Sequence, residues 1–181
     1  MDPINIIQKF YKTDSKTYNL LVAHSKAVAK KALEIAKNVK HLNPDLKFIK
    51  EASMLHDIGI FLTDAPEIEC FGNQPYICHG YLGRELLDKE GLPKHALVCE
   101  RHVGVGISVQ DIDKRKIPMP RRDMSPITIE EKIICFADKF FSKKGGSLTK
   151  ENTIDEIRKS QLKFGENKVK IFDEWVKTFL S

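Results

Sequence analysis

Helical periodicity governs this chain. Apolar residues recur every three or four positions, and the alternation of a half-buried strand is scarce. Leu20, Leu21, Ala27, Val28, Leu33, Ile35 and Ala36 mark one long amphipathic helix from about Thr17 to Val39. Asn43-Pro44 reads as an N-cap followed by proline in a first helical turn. The helix it opens carries Phe48, Ile49, Ala52, Met54 and Leu55 and is expected to stop near Gly59. Further helices are expected at about His79 to Glu90, closed by Gly91 and Pro93, and at about Lys94 to His102, ended by Gly104. Thr128 and Glu131 resemble a capping box. It opens a helix through Ile133, Ile134, Phe136, Ala137 and Phe140 that Gly145-Gly146 would break. One or two helices finish the chain, with Phe164, Val169, Phe172, Trp175, Val176 and Phe179 as core candidates.

This pattern predicts an all-α protein, a compact single-domain bundle of about six to nine helices. The expected domain is 1–181, with a motif-bearing core at about 17–142 and C-terminal helices over 150–181 packed on it. A chain of 181 residues can bury a substantial core. Two connections are long for such a bundle, roughly Ile60 to Cys78 and Val103 to Ile127. Both adjoin histidines, so they are expected to wall a site.

Composition excludes some classes. No apolar run is long enough to span a bilayer, and Met1 to Tyr11 lacks the marks of an export signal. Cys70, Cys78, Cys99 and Cys135 form no Cys-x-x-Cys pair and read as reduced, mostly buried thiols. A cytoplasmic location and no membrane partner are therefore expected. The net charge of +5 suits an anionic substrate without indicating nucleic acid, and no nucleic-acid motif accompanies the basic clusters Lys114-Arg115-Lys116 and Arg121-Arg122. Oligomeric state cannot be read from the sequence.

The chemistry-bearing residues sit in apolar surroundings. His56-Asp57 ends the stretch Ala-Ser-Met-Leu-His-Asp-Ile-Gly, and Asp138 lies within Ile-Cys-Phe-Ala-Asp-Lys-Phe-Phe. An ionised carboxylate in a core segment is costly unless it is paired or bound to a metal. His24, His79 and His102 lie near helix ends or on faces that can converge with it. Each residue comes from a different element, and the set suits a borderline divalent metal. His41 reads as a helix C-terminal dipole partner, and His95 as a first-turn residue; neither is taken as a ligand.

The pattern His24, His56-Asp57-Ile58-Gly59 and Asp138 resembles the HD superfamily of metal-dependent phosphohydrolases, from about Leu20 to Phe141. His79 and His102, in His-Gly-Tyr-Leu-Gly and Glu-Arg-His, resemble the HDIG-type subgroup with six ligands and two metals. The resemblance implies an HD-type helical bundle. It implies that His24, His56, Asp57 and Asp138 hold one metal, and that Asp57 bridges to a second held by His79 and His102. The metals would be iron, manganese, cobalt, nickel or zinc. The implied reaction is hydrolysis of a nucleotide or other small phosphate ester by a metal-bound hydroxide. Two divalent ions keep roughly +2 against two carboxylates, which attracts phosphate and acidifies water.

His56, Asp57, Arg101 and Lys139 are the candidate catalytic residues, and Arg84, Arg121 and Arg122 the candidate substrate-binding ones, because cations stabilise charge on transferring phosphoryl oxygens. Ile60 stands where cyclic-dinucleotide phosphodiesterases of the superfamily typically carry lysine, which argues against that substrate. Two alternatives share the ligand set: an HD-type di-iron oxygenase, and a non-catalytic metal- or nucleotide-binding regulatory domain.

Overall fold

The computed structural model describes residues 1–143 and 150–180. Nine α-helices lie among the described residues: α1 (Pro3–Ile7), α2 (Lys16–Asn38), α3 (Leu46–Leu55), α4 (His79–Lys89), α5 (Pro93–Arg101), α6 (Val109–Arg115), α7 (Ile129–Asp138), α8 (Ile154–Leu162) and α9 (Glu166–Phe179). The bundle is the all-α architecture expected from periodicity.

Local chemistry sets the boundaries. Ser15 caps α2 by accepting from the Tyr18 amide. The cap of α3 is Asp45, not Asn43, and Pro44 lies ahead of the helix. Asn43 instead adopts a left-handed conformation (φ 50°) after a 3₁₀ turn, while the Asp45 side chain accepts from Phe48 and puts negative charge at the helix start. Pro93 opens α5 instead of closing α4, whose exit is taken by Gly91 at φ 73°. The Thr128 hydroxyl accepts from the Glu131 amide, but Glu131 returns its bond one residue upstream, accepting from Ile127 N at 2.6 Å. The helix it opens ends at Asp138, and Gly145-Gly146 lie outside the described residues.

Neither long connection is a bare loop. The first holds a small sheet of β1 (Thr63–Ala65), β2 (Cys70–Phe71) and β3 (Gln74–Pro75) in the order β2-β1-β3. Strand β1 runs antiparallel to β2, with Asp64 opposite Phe71, and parallel to β3, with Thr63 opposite Gln74. The second connection contains α6, opened by a capping box between Ser108 and Asp111.

One core cluster joins α2, α7 and α9 through Val28, Ile35, Phe136, Phe172 and Phe179. The Phe136 ring lies at its centre, 5.3 Å from both Phe172 and Phe179. A second cluster joins α1 to α5 through Ile7, Leu21, Leu55, Ile58, Leu87 and Cys99. Phe164, expected in the core, is 42% exposed because it falls in the turn between α8 and α9, off the helical stripe. All four cysteines are free and buried.

A seam of glycines lets α4 approach two other elements. A Cβ on Gly59 would stand 2.3 Å from the His79 carbonyl and 2.5 Å from Gly83 N. Gly59 therefore serves close approach, with an ordinary φ of −84°, and α3 already ends at Leu55. A Cβ on Gly80 would stand 2.8 Å from the Cys99 carbonyl on α5. Gly59→Ala should destabilise the fold by about 3 kcal/mol, since backbone must move to admit the methyl. Gly83→Ala meets contacts of 3.3–3.4 Å and should be near neutral, because alanine regains about 1 kcal/mol of helix propensity. Urea denaturation of both variants checks the contrast.

Candidate metal centre

Six buried side chains converge between the two core clusters. His24 projects from the middle of α2, His56 and His102 cap the C-termini of α3 and α5, His79 begins α4, and Asp138 ends α7. Asp57 follows His56 in the turn that Gly59 presses against α4.

The Asp57 carboxylate is divided between two groups. Its Oδ2 lies 3.2 Å from His24 Nε2 and 3.1 Å from His56 Nε2. Asp138 Oδ1 completes that group at 3.0 Å from His24 and 3.4 Å from His56. Asp57 Oδ1 faces the other way, 3.3 Å from the Nε2 atoms of both His79 and His102. Within each group the candidate ligand atoms lie within 4.8 Å of one another.

The same local device orients three of the imidazoles. His56 Nδ1 donates to Ser53 O at 2.6 Å, His79 Nδ1 to Tyr76 O at 2.6 Å, and His102 Nδ1 to Cys99 O at 2.7 Å. Each acceptor lies three residues back, in a helical turn. A carbonyl only accepts, so each Nδ1 carries the hydrogen and each Nε2 points inward, with a free lone pair in the neutral form of the ring. Cysteine thiols satisfy further carbonyls: Cys99 Sγ donates to Leu55 O, and Cys135 Sγ to His102 O. Burial pushes the Cys135 thiol up to about 12, so it stays protonated and outside the ligand set.

These atoms fit a cation. His79 Nε2 and His102 Nε2 lie 3.0 Å apart. Burial pushes His79 down to about 3, overriding the pull of Asp57, and lowers His102 as well. Two inward lone pairs at that distance repel unless a positive ion lies between them. Nitrogens about 2.1 Å from one ion and at a right angle around it stand about 3 Å apart. His56 Nε2 and Asp57 Oδ1 are buried without a hydrogen bond. Burial alone disfavours charge on His56, but Asp57 and Asp138 outweigh it and raise the ring to about 9. Burial likewise opposes ionisation of Asp57 and Asp138; the neighbouring positive charges still hold both well below the usual carboxylate range.

Two lysines reach the centre. Lys143 Nζ lies 2.6 Å from Asp57 Oδ2 and 4.0 Å from Asp138 Oδ1. Lys139 Nζ lies 2.9 Å from Asp138 Oδ2. Lys143 carried no signal in the sequence, since it falls beyond the helix and in no motif. Tyr76, also unmarked, stacks beside His79 at 4.7 Å.

The four arginines expected at the site are placed elsewhere: Arg84, Arg101, Arg121 and Arg122 line neither cavity at the centre. Arg84 and Arg122 both pair with Glu100, whose side chain is 1% exposed. Arg101 pairs with Glu131 at 2.8 Å, pointing away from the site because adjacent helical residues diverge by about 100°. Arg121 holds the exposed Asp113 at 2.9 Å. His95 faces Glu51 at 3.6 Å, and His41 is exposed.

The HD domain family model matches residues 21–142. A relative covering most of the chain is an uncharacterized protein of Methanocaldococcus jannaschii, 33% identical over 151 residues, 81% of this chain and 79% of that protein. A tRNA (cytidine(56)-2′-O)-methyltransferase of Thermoplasma volcanium is 27% identical over 99% of this chain and 48% of its own length. The enzyme of the same name from Picrophilus torridus is 30% identical over 68% of this chain and 32% of its own length. The chain thus spans less than half of either methyltransferase. No solved structure matches it. The chain belongs to the HD domain family, which implies metal-dependent, hydrolase-type activity.

The divided carboxylate gives a direct expectation. Manganese-loaded protein should hold two equivalents by atomic emission, and Asp57→Ala should lose both. His79→Ala should lose one. Two equivalents retained in both variants would refute a shared Asp57.

Proposed function

We propose that the chain is a phosphohydrolase acting on a nucleotide or another small phosphate ester. The observation that supports this most is the juxtaposition of the divided, buried Asp57 carboxylate with Lys143, which lines an adjoining cavity together with Lys139 and Asp138. That cavity, of about 450 Å³, is lined by Asp138, Lys139, Lys143, Tyr76, Asn152 and Ser160, among others. His24, His56, Asp57 and Asp138 would hold one divalent ion, and Asp57, His79 and His102 a second. When bound, the ions supply Lewis acidity and bring the pKa of a water close to neutral.

The chain's own groups do the rest. The three Nδ1–H···O=C bonds fix the imidazoles so that no reorientation accompanies reaction. Lys143 is held above the ordinary lysine range: burial opposes its charge, but Asp57, Tyr76 and Asp138 outweigh burial. Its ammonium lies beside the candidate ligand carboxylates and would face an anionic phosphoryl group bound there. Lys139 adds a second positive charge, anchored by its bond to the His102 carbonyl at 3.4 Å. In this reading these lysines take the place first given to the arginines.

The names of the two methyltransferase relatives support a second substrate form, the terminal phosphate of an RNA. The exposed run Lys114, Arg115 and Lys116 is compatible with it. Short 5′- and 3′-phosphorylated oligonucleotides belong in the same substrate panel as mononucleotides.

Protein loaded with manganese, cobalt, iron or zinc should release phosphate from such a panel with and without oxygen. Oxygen uptake without phosphate release would sink the hydrolase and favour the di-iron oxygenase; tight binding without turnover under any loading would favour a regulatory domain. Lys143→Met should lower kcat/KM by roughly 10²-fold, the loss typical of one charge-stabilising donor, while metal content stays at the wild-type level.

A further inference from the structure

A second cavity of about 340 Å³ adjoins the centre at His79. It shares Tyr76, Gly104, Gln161 and Phe164 with the polar cavity, so the two adjoin. Their chemistry differs. The first carries Asp138, Lys139 and Lys143; the second is walled by Ile77, Val103, Val105 and Ile107. Of its three charged lining residues, Lys168 and Asp111 neutralise each other, with Lys168 Nζ donating to Asp111 Oδ2 at 2.5 Å and to Gly106 O at 2.8 Å, and Arg115 lies over the Phe164 ring.

Gln161 stands on the shared wall. It is 5% exposed, and its Oε1 has no hydrogen-bond partner. A buried carboxamide oxygen without a partner is costly, so such an atom in a native fold calls for an explanation. Gln161 is not part of the metal centre, and the core does not use it. One helical turn further on, Phe164 is a large exposed apolar side chain, with the Arg115 guanidinium over its ring at 4.9 Å. A carboxamide offers one donor and one acceptor side by side. An aromatic face offers a stacking platform to any flat heterocycle.

We infer that the apolar cavity is a nucleobase subsite, in which Gln161 pairs with the base edge and Phe164 stacks on the base plane. The inference rests on the phosphohydrolase reading for the polar end of the ligand and narrows its substrate class to nucleotides. The phosphate lies against Lys139 and Lys143, and the base extends past Tyr76 into the apolar half. A sugar phosphate leaves that half unused and the Gln161 amide unpaired. A base satisfies both, because bidentate glutamine contacts to a base edge match in geometry. The two groups that would read the base come from α8 and the turn after it, whereas the apolar walls come from Ile77 and the segment 103–107.

The test compares hydrolysis-resistant 5′-phosphonates of the four common ribonucleosides with the same phosphonate of ribose lacking a base. Binding is measured by calorimetry on the metal-loaded full chain. At least one nucleoside phosphonate should bind tenfold or more tightly than the ribose compound, a difference of about 1.4 kcal/mol. Gln161→Leu, which keeps the volume, and Phe164→Ala, at an exposed site, should each remove most of that advantage. Equal binding of all ligands to the wild type overturns the subsite, as does an advantage that survives both substitutions. The parent reading fails differently. A base preference with no phosphate release from any ester sinks the hydrolase and leaves the subsite standing. Phosphate release from nucleotides and ribose 5-phosphate at equal kcat/KM does the reverse.

Discussion

A single carboxylate with no solvent exposure, that of Asp57, organises the rest of this molecule. Moving such a group out of water costs several kcal/mol even after relaxation, unless opposite charge and hydrogen-bond donors replace the solvent. Here four imidazoles and Lys143 surround it at 2.6–3.3 Å. Those partners come from α2, α4, the ends of α3 and α5, and the segment after α7. No two neighbouring helices can slide without breaking the shell. The carboxylate thus acts as a registration point for the bundle and is common to both groups of candidate metal ligands.

Helix ends supply the means. Turns at helix termini hold carbonyls short of intrahelical partners. In this fold an imidazole Nδ1–H takes one at Ser53, Tyr76 and Cys99, and a cysteine thiol takes one at Leu55 and at His102. The bond that satisfies the backbone is the bond that aims Nε2 at Asp57. Local secondary structure and site geometry are therefore not separate requirements. The glycine seam adds the long-range part: without a Cβ at Gly59 and Gly80, α4 comes close enough to both the Asp57 turn and α5 for His79 to meet His102.

The extent to which this was legible in the sequence follows from the range of each interaction. His24, His56, Asp57, His79, His102 and Asp138 were readable because ionisable residues in apolar helical segments stand out locally. Helix existence was readable from period; caps at Asn43 and Pro93 were misplaced because two adjacent polar or proline signals compete and only tertiary context chooses. The arginines misled for a different reason. Charge near a ligand in sequence says nothing of the carboxylate it meets in space, and Glu100, Glu131 and Asp113 claim all four. Lys143 and Gln161 were invisible because each acts through contacts made only after the chain has closed on itself. Phe164 had the composition of a core residue, yet a turn moved it off the helical stripe.

The distribution of cations has a consequence for chemistry. Arginines saturated by buried or bidentate carboxylates hold surfaces together, and their planar forks are not available to a phosphate. Two lysines stand at the centre instead, as compact point charges paired with the carboxylates of the candidate ligand set. A point charge attracts any phosphoryl group without selecting its shape. Selectivity must then come from elsewhere in the cavity, where a group can respond to the body of the substrate and not to its charge. The polar half of the cavity is electrostatic and permissive; the apolar half, with a flat exposed ring and an unpaired amide, has the features that distinguish one organic body from another. In the proposed subsite the polar and aromatic contacts come from α8 and its following turn, outside the segment that the family model covers, while the apolar walls come from within it. Proteins sharing the centre can then differ in substrate without altering a single metal ligand.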